Sequence, residues 1–391
     1  MKSFSAQYIF TNTGTPLKRG IITTDDDGSI TGIEDTGGDL SERRSVQFYN
    51  GIIIPGFVNC HCHLELSHMK GFAAQGRGLG NFIMEIRNNR DKLSTSILSA
   101  AMKADREMCD EGIVLCADIC NTSDTFNIKR GSRIRYLNLL EVFGIDPDKA
   151  IKRINEIIRL AQVAEEHNLL FSIVPHSVYS LSLPLLRLVR ERSENNEITS
   201  LHFMESAGEK ELLENQSGEL MTSYLNSGLL SSIPETAGSH TDVILNEITH
   251  SGNLILVHNT LADRNTVKAV IQREKTFWCL CLNSNLYIGN KIAPVDMLLE
   301  EGCDLVIGTD SLASNSRLSI LEELKTLQNK FPALTLEEMI RWATLNGARA
   351  LNEMSSFGTI EIEKRPGLLL LQNIDIIDMK LLPETSVTRL I

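Results

Sequence analysis

Eight short apolar runs alternate with longer amphipathic segments along most of this chain, and that alternation constrains its fold more than any other feature. The runs occupy 57–59, 113–117, 134–140, 169–174, 198–201, 254–257, 276–280 and 305–307. Between most of them lie segments with apolar residues at helical spacing, such as 97–109, 149–167, 183–192 and 211–225. Strands alternating with helices imply parallel strands joined by crossovers, and eight such units predict an α/β protein built on a closed (β/α)8 TIM barrel. The two ends differ. Residues 1–55 carry β-type runs at 6–10, 21–24, 29–33 and 45–49, broken by GTP, DDDG and GGD turn signals. Residues 357–391 carry further runs at 359–362, 368–372 and 387–391. Lacking crossover helices, these segments read as antiparallel and predict a small flanking β-sandwich domain built from both chain ends. The expected organisation is therefore 1–55 with 357–391 as a composite β-domain, and 56–356 as the barrel. No repeat, low-complexity tract or Pro/Gly linker divides the chain otherwise.

Charge and composition narrow the function. The 38 Lys and Arg against 50 Asp and Glu leave a net charge of −12, which repels phosphate backbones and argues against a nucleic-acid partner. No run reaches the roughly 18–20 uninterrupted apolar residues of a membrane span, and the first residues, MKSFSAQYIFTNTG, lack a signal-peptide pattern. The eight cysteines follow no framework spacing, and Cys116, Cys279 and Cys281 lie inside apolar runs. Buried free thiols in a cytoplasmic protein are the expectation.

The most informative stretch is Pro55-Gly56-Phe57-Val58-Asn59-Cys60-His61-Cys62-His63. Alternate residues of a strand face the same way, so His61 and His63 project together and form half of a metal site. By itself, His-x-His is as readily a pair of surface or core histidines. Three more ligand-type residues follow apolar runs: His202, His258, and Asp310 after Gly308-Thr309. In a (β/α)8 barrel the C-terminal strand ends converge on one face, so these residues become neighbours. His176 also falls at a run's end; His167 ends a helical segment, and His68, His240 and His250 lie in loop-like sequence.

Taken together, PGFVNCHCH, the single histidines after two later strands and the Gly-Thr-Asp after the last resemble the amidohydrolase superfamily. The most similar branch contains chlorotriazine hydrolases, guanine deaminase, adenosylhomocysteine deaminases and aminodeoxyfutalosine deaminase. His202-Phe203-Met204-Glu205 resembles its H-x-x-E motif, and Cys281-Leu282-Asn283-Ser284-Asn285 its C-P-x-S-N segment, with Leu282 in place of proline. Gly308-Thr309-Asp310-Ser311 with Ser314-Asn315 resembles its G-T-D…S-N segment, and Thr344 to Leu351 its closing helix. The tail 358–364 resembles the return strand, departing from the pattern at Glu363 and Gly367.

This resemblance implies that His61, His63, His202 and Asp310 bind one divalent metal. No lysine ends the fourth run, where binuclear relatives carry a carboxylated one; Pro175-His176 stands there. Imidazole and carboxylate donors suit Zn2+, with Fe2+ or Mn2+ as alternatives. Glu205 is implied as the proton shuttle, against the plainer reading of a solvated loop carboxylate. His258 is implied as the histidine that hydrogen-bonds the attacking water. His176 resembles a substrate contact, or else a satisfied core histidine. Glu65, in His63-Leu64-Glu65-Leu66-Ser67, resembles the aminodeoxyfutalosine deaminases and is expected at the pocket mouth as a substrate acceptor, against an ordinary acidic loop residue. Gly71, Gly76, Gly78 and Gly80 lack a phosphate-loop pattern and suggest a flexible lid.

The resulting expectation is a metal-dependent hydrolase that deaminates a small heterocyclic substrate of the adenine-nucleoside type, with homodimerisation left open. The alternatives are hydrolysis of a C–Cl or another C–N bond, as in a chlorotriazine hydrolase or cyclic amidase, and a non-catalytic metal-binding scaffold.

Overall fold

Strands covered on both faces are largely apolar, and the barrel strands here are of that kind, with Asn59, Asp118 and Asn138 as buried polar exceptions. The computed structural model describes residues 1–391 except 42–44, 92–95, 227, 229–238, 249–251 and 274. His250 lies outside the described residues, as does the side chain of His240. The eight predicted runs become β1 (Phe57–Cys62), β2 (Ile113–Cys120), β3 (Arg135–Val142), β4 (Leu170–Pro175), β5 (Ile198–Phe203), β6 (Asn253–His258), β7 (Thr276–Leu280) and β8 (Asp304–Ile307). All pair in parallel, β1 to β4 in one sheet and β5 to β8 in a second.

Backbone hydrogen bonds at both seams join the two sheets. At one, the amide of His202 donates to the carbonyl of His176 (2.8 Å). At the other, the amides of Thr309 and Asp310 both donate to the carbonyl of His61 (3.0 Å each). The side chain of Asn59 reinforces this second seam by bonding the hydroxyl and the amide of Thr309. Residues of the proposed site thus close the barrel.

Alternation along the strands separates two cores. Val58, Cys60, Ala117, Ile255, Val257 and Cys279 form an inner cluster, while Leu254, Leu256 and Trp278 face the surrounding helices. Helix Ala150–Glu166 buries Ile154, Ile157, Ala161 and Ala164, one stripe at helical spacing. The closing segment runs from a π-turn at Trp342–Asn346 into helix Gly347–Ala350. A Cβ at Gly347 would lie 2.7 Å from that of Val58, so only glycine lets this turn pack against the inner core.

Three expectations need correction. The segment 211–225 is two helices, Ala207–Asn215 and Gly218–Asn226, because Gln216 (φ 50°) and Gly218 (φ 91°) adopt left-handed backbone between them. Residues 359–362 form no strand; the amide of Ile360 is tied to the carbonyl of Thr11 (3.0 Å). The end segments are not all antiparallel, since strand Val46–Pro55 runs parallel to strand Lys2–Ile9. Strands from both ends join one seven-stranded sheet, in which Val46–Pro55 also pairs with Leu368–Asp375.

A fully buried ion pair stands beside β2. Lys129 contacts Asp118 and hydrogen-bonds Cys120 Sγ (3.0 Å) and Asn138 Oδ1 (2.9 Å), while Asp118 accepts from the amide of Leu64 (2.7 Å). Replacing Lys129 by Met leaves a buried carboxylate without its cation, which typically costs about 3–5 kcal/mol. Urea unfolding of Lys129→Met should show a drop of that size. A loss below about 1 kcal/mol would mean that water or another group compensates Asp118.

Candidate active site

The strand ends bring the expected residues together. His61 and His63 at the end of β1 place their Nε2 atoms 3.1 Å apart. His202, at the end of β5, has its ring centre 4.8 Å from that of His61 and 5.5 Å from that of His63. Asp310 Oδ1 lies 3.5 Å from His63 Nε2 and 3.8 Å from His61 Nε2. The β5–β6 register pairs Phe203 with His258, which sets the His258 ring 5.4 Å from that of His202. His258 (φ 76°) and Asp310 (φ 57°) both adopt left-handed backbone, a strained conformation that recurs at functional sites.

Hydrogen bonds behind these groups set how they face. The Nδ1 of His202 lies 2.9 Å from the carbonyl of His176 and that of His258 lies 2.7 Å from Asn285 Oδ1; each acceptor requires a proton on Nδ1, which leaves Nε2 as the free donor atom. Asp310 Oδ2 accepts from the hydroxyls of Ser284 and Ser314, so Oδ1 is the oxygen turned to the histidines. Burial holds His61 and His202 well below the usual histidine range, keeping them neutral. Burial also opposes ionisation of Asp310, but His63, His258, His61 and the Ser284 hydroxyl outweigh it and bring its carboxyl to about 2.

This donor set fits a cation. The nearest donor atoms of His61, His63 and His202 lie within 4.8 Å of one another, and all three residues are buried. Two facing imidazole nitrogens repel unless a proton or metal lies between them. Their 3.1 Å separation is close to the roughly 3.3 Å expected across a tetrahedral ion with about 2.05 Å bonds.

Glu205 stands just past β5 with Oε1 3.6 Å from His258 Nε2. It is not a solvated loop carboxylate. Burial pushes its carboxyl up to about 7, with His258 opposing, so it can both hold and release a proton near neutrality. The amides of Met204 and Glu205 donate to the carboxylate of Glu209 (3.3 and 2.8 Å), which fixes the turn carrying Glu205.

Glu65 departs from its expected place at the pocket mouth. It is 1% exposed; Oε2 accepts from the amides of Asn121 and Thr122 (3.1 Å each) and the Thr122 hydroxyl, and Oε1 pairs with Arg90 at 2.9 Å. Those contacts tie the turn Leu64–Met69 to the loop after β2 and to the end of helix Leu79–Asn89, and they engage both carboxylate oxygens. His176 stacks on His202 (4.5 Å, 22°) and shares its Nδ1 with the hydroxyls of Ser177 and Ser180. The glycine-rich segment is pinned through the amides of Gly76 and Gly78 to the carbonyls of Tyr287 and Ile288. Beside it, a cavity of about 170 Å³ is lined by Gly78, Glu205, Thr260 and Ile288 among others.

Sequence reasoning missed Glu141, which directly follows the third run. It is buried, with Oε2 accepting from Asn121 and Oε1 3.5 Å from His202 Nδ1, and burial raises its carboxyl to about 7. The criterion that found His202 and His258, a ligand-type residue at a run's end, applies equally to Glu141. No sequence signal marked Glu209, whose role depends on the turn it packs beneath.

A (β/α)8 barrel with imidazoles and a carboxylate gathered at its strand ends is the frame of a metal-dependent hydrolase, and the chain belongs to the amidohydrolase family, whose pattern matches residues 52–387. It is 26% identical over 330 residues to an adenosine deaminase of Helicobacter pylori, covering 82% of this chain and 79% of that one. Its structure is similar to that of Helicobacter pylori aminofutalosine deaminase in complex with methylthio-coformycin, with a TM-score of 0.83 at 22% identity over 96% of this chain and 93% of the other. It is also similar to atrazine chlorohydrolase from Arthrobacter aurescens TC1 complexed with zinc, with a TM-score of 0.71 at 16% identity over 96% and 88% of the two chains.

Proposed function

We propose that this chain is a mononuclear metal-dependent deaminase of adenine-type nucleosides, with His61, His63, His202 and Asp310 holding the ion. The observation that carries this reading is the Glu205–His258 pair beside that cluster, a proton shuttle next to a site for an activated water. The deaminases among its relatives support the substrate class. A divalent ion bound there supplies Lewis acidity, lowering the pKa of water from about 15.7 toward about 7. Zinc is favoured by the nitrogen and oxygen donors and by the zinc in the chlorohydrolase relative.

The chain's own residues do the rest. Glu205 takes the proton of the attacking water and passes it to the ring nitrogen as oxygen adds to the amino-bearing carbon. His258, held through Nδ1 by Asn285, orients the water with Nε2. Collapse of the tetrahedral carbon expels the amine, which leaves as ammonia after receiving the second water proton through Glu205. His176, stacked on His202, is suited to contact the heterocycle, whereas Glu65 acts through the segments it ties. The eight buried free cysteines suit a reducing, cytoplasmic setting, and no helix among the described residues is long and apolar enough to cross a membrane.

The test is ammonia release from adenosine, 5′-methylthioadenosine and aminodeoxyfutalosine by zinc-loaded protein. Release from at least one is expected. No ammonia from any of them, together with chloride release from a chlorotriazine, would replace the deaminase reading with the chlorohydrolase one.

A further inference from the structure

Glu323 is a fully buried carboxylate on helix Ile320–Lys330, outside the cluster of ligands and catalytic groups. Among the described residues its oxygens are met by hydrogen-bond donors and by no ion pair. Such a group costs stability unless other interactions compensate for it. Its two oxygens go to two different segments. Oε2 accepts from the amide of Asn283 (3.1 Å), in the first turn of helix Leu282–Gly289, whose N-cap Cys281 makes no side-chain cap. Oε1 accepts from Asn315 Nδ2 (2.9 Å), and the same Asn315 nitrogen donates to the carbonyl of Thr309 (2.9 Å), the residue before Asp310.

The two segments carry the orienting bonds of the candidate site. Ser284 donates to Asp310, and Asn285 accepts from His258 at 2.7 Å. We infer that Glu323 is a positioning residue: one buried carboxylate caps the helix that presents Ser284 and Asn285 and clamps the Asp310 loop, and so fixes His258 and Asp310 relative to each other. The inference rests on the roles proposed above for those two residues. Glutamine cannot replace Glu323, because its amide would set a donor against either the Asn283 amide or Asn315 Nδ2.

The test compares Glu323→Gln and the milder Glu323→Asp with wild type, after circular dichroism has established folding. In Glu323→Gln, kcat should fall about 10–100-fold with little change in KM, since small misplacements of reacting groups act at this scale. Zinc affinity, titrated against a chelator without substrate, should fall about 10-fold or more, as when a partner behind a metal ligand is lost. Glu323→Asp should move both in the same direction by less, and it decides the matter if the Gln variant does not fold. Combined with Asn285→Ala, Glu323→Gln should cost far less than the product of the two single losses. Wild-type zinc affinity and kcat in a folded variant, or fully multiplicative losses in the pair, would overturn the inference. If wild type releases no ammonia from any nucleoside, the functional reading fails, while the chelator titration still tests Glu323.

Discussion

Glu205→Gln should keep its metal and lose turnover. Glutamine has nearly the same volume, and Glu205 is not one of the groups assigned to hold the ion, so zinc stoichiometry should match wild type. An amide cannot relay protons, and a positioned acid–base group typically contributes about 10²–10⁴-fold. A fall in kcat of at least that order is expected, with little change in substrate affinity, which marks a lost transition-state interaction. The burial of Glu205 and its 3.6 Å approach to His258 are the structural grounds for so large an effect, because a solvated carboxylate would contribute nothing to the rate. Turnover and zinc content measured on the same preparation decide it. A fully metallated variant with wild-type turnover would remove Glu205 from the mechanism.

Asp310→Asn and His202→Ala should lose metal and activity together. Loss of a partner behind a metal ligand costs about 10–100-fold, and loss of a ligand should cost more. Asparagine at 310 would keep the size of the side chain, but it cannot both accept from Ser284 and Ser314 and present an anionic oxygen to His61 and His63. The fold should survive, because each residue stands at a strand end above an inner core that it does not fill. The measurements are metal content by elemental analysis and secondary structure by circular dichroism. Full metal content in both folded variants would mean that the ligand set is wrong.

The barrel and the four candidate ligands were legible in the sequence for one physical reason. A strand buried on both faces is mostly apolar, so a ligand-type residue closing such a run marks where the chain leaves the core. In a parallel barrel all those exits lie on one face. His202, His258 and Asp310 were found this way, His61 and His63 by their alternation on one strand, and Glu141 was findable by the run-end rule.

Other features depended on partners distant in the chain. Glu65 and Glu205 are both acidic residues shortly after a histidine at a strand end, and nothing local distinguishes them. Arg90 and the amides of Asn121 and Thr122 meet the first, and His258 the second. The break at Gln216 and the parallel pairing of Val46–Pro55 with Lys2–Ile9 likewise followed from packing rather than periodicity.

What the sequence by itself determined is the strand–helix alternation and the residue types at each strand end, because burial acts on every residue where it stands. What only the tertiary structure decided is which carboxylates approach the histidine cluster and which are tied between segments. Glu65, Glu209 and Glu323 are buried by contacts from other elements, and a carboxylate's role is set by the donors that reach its two oxygens.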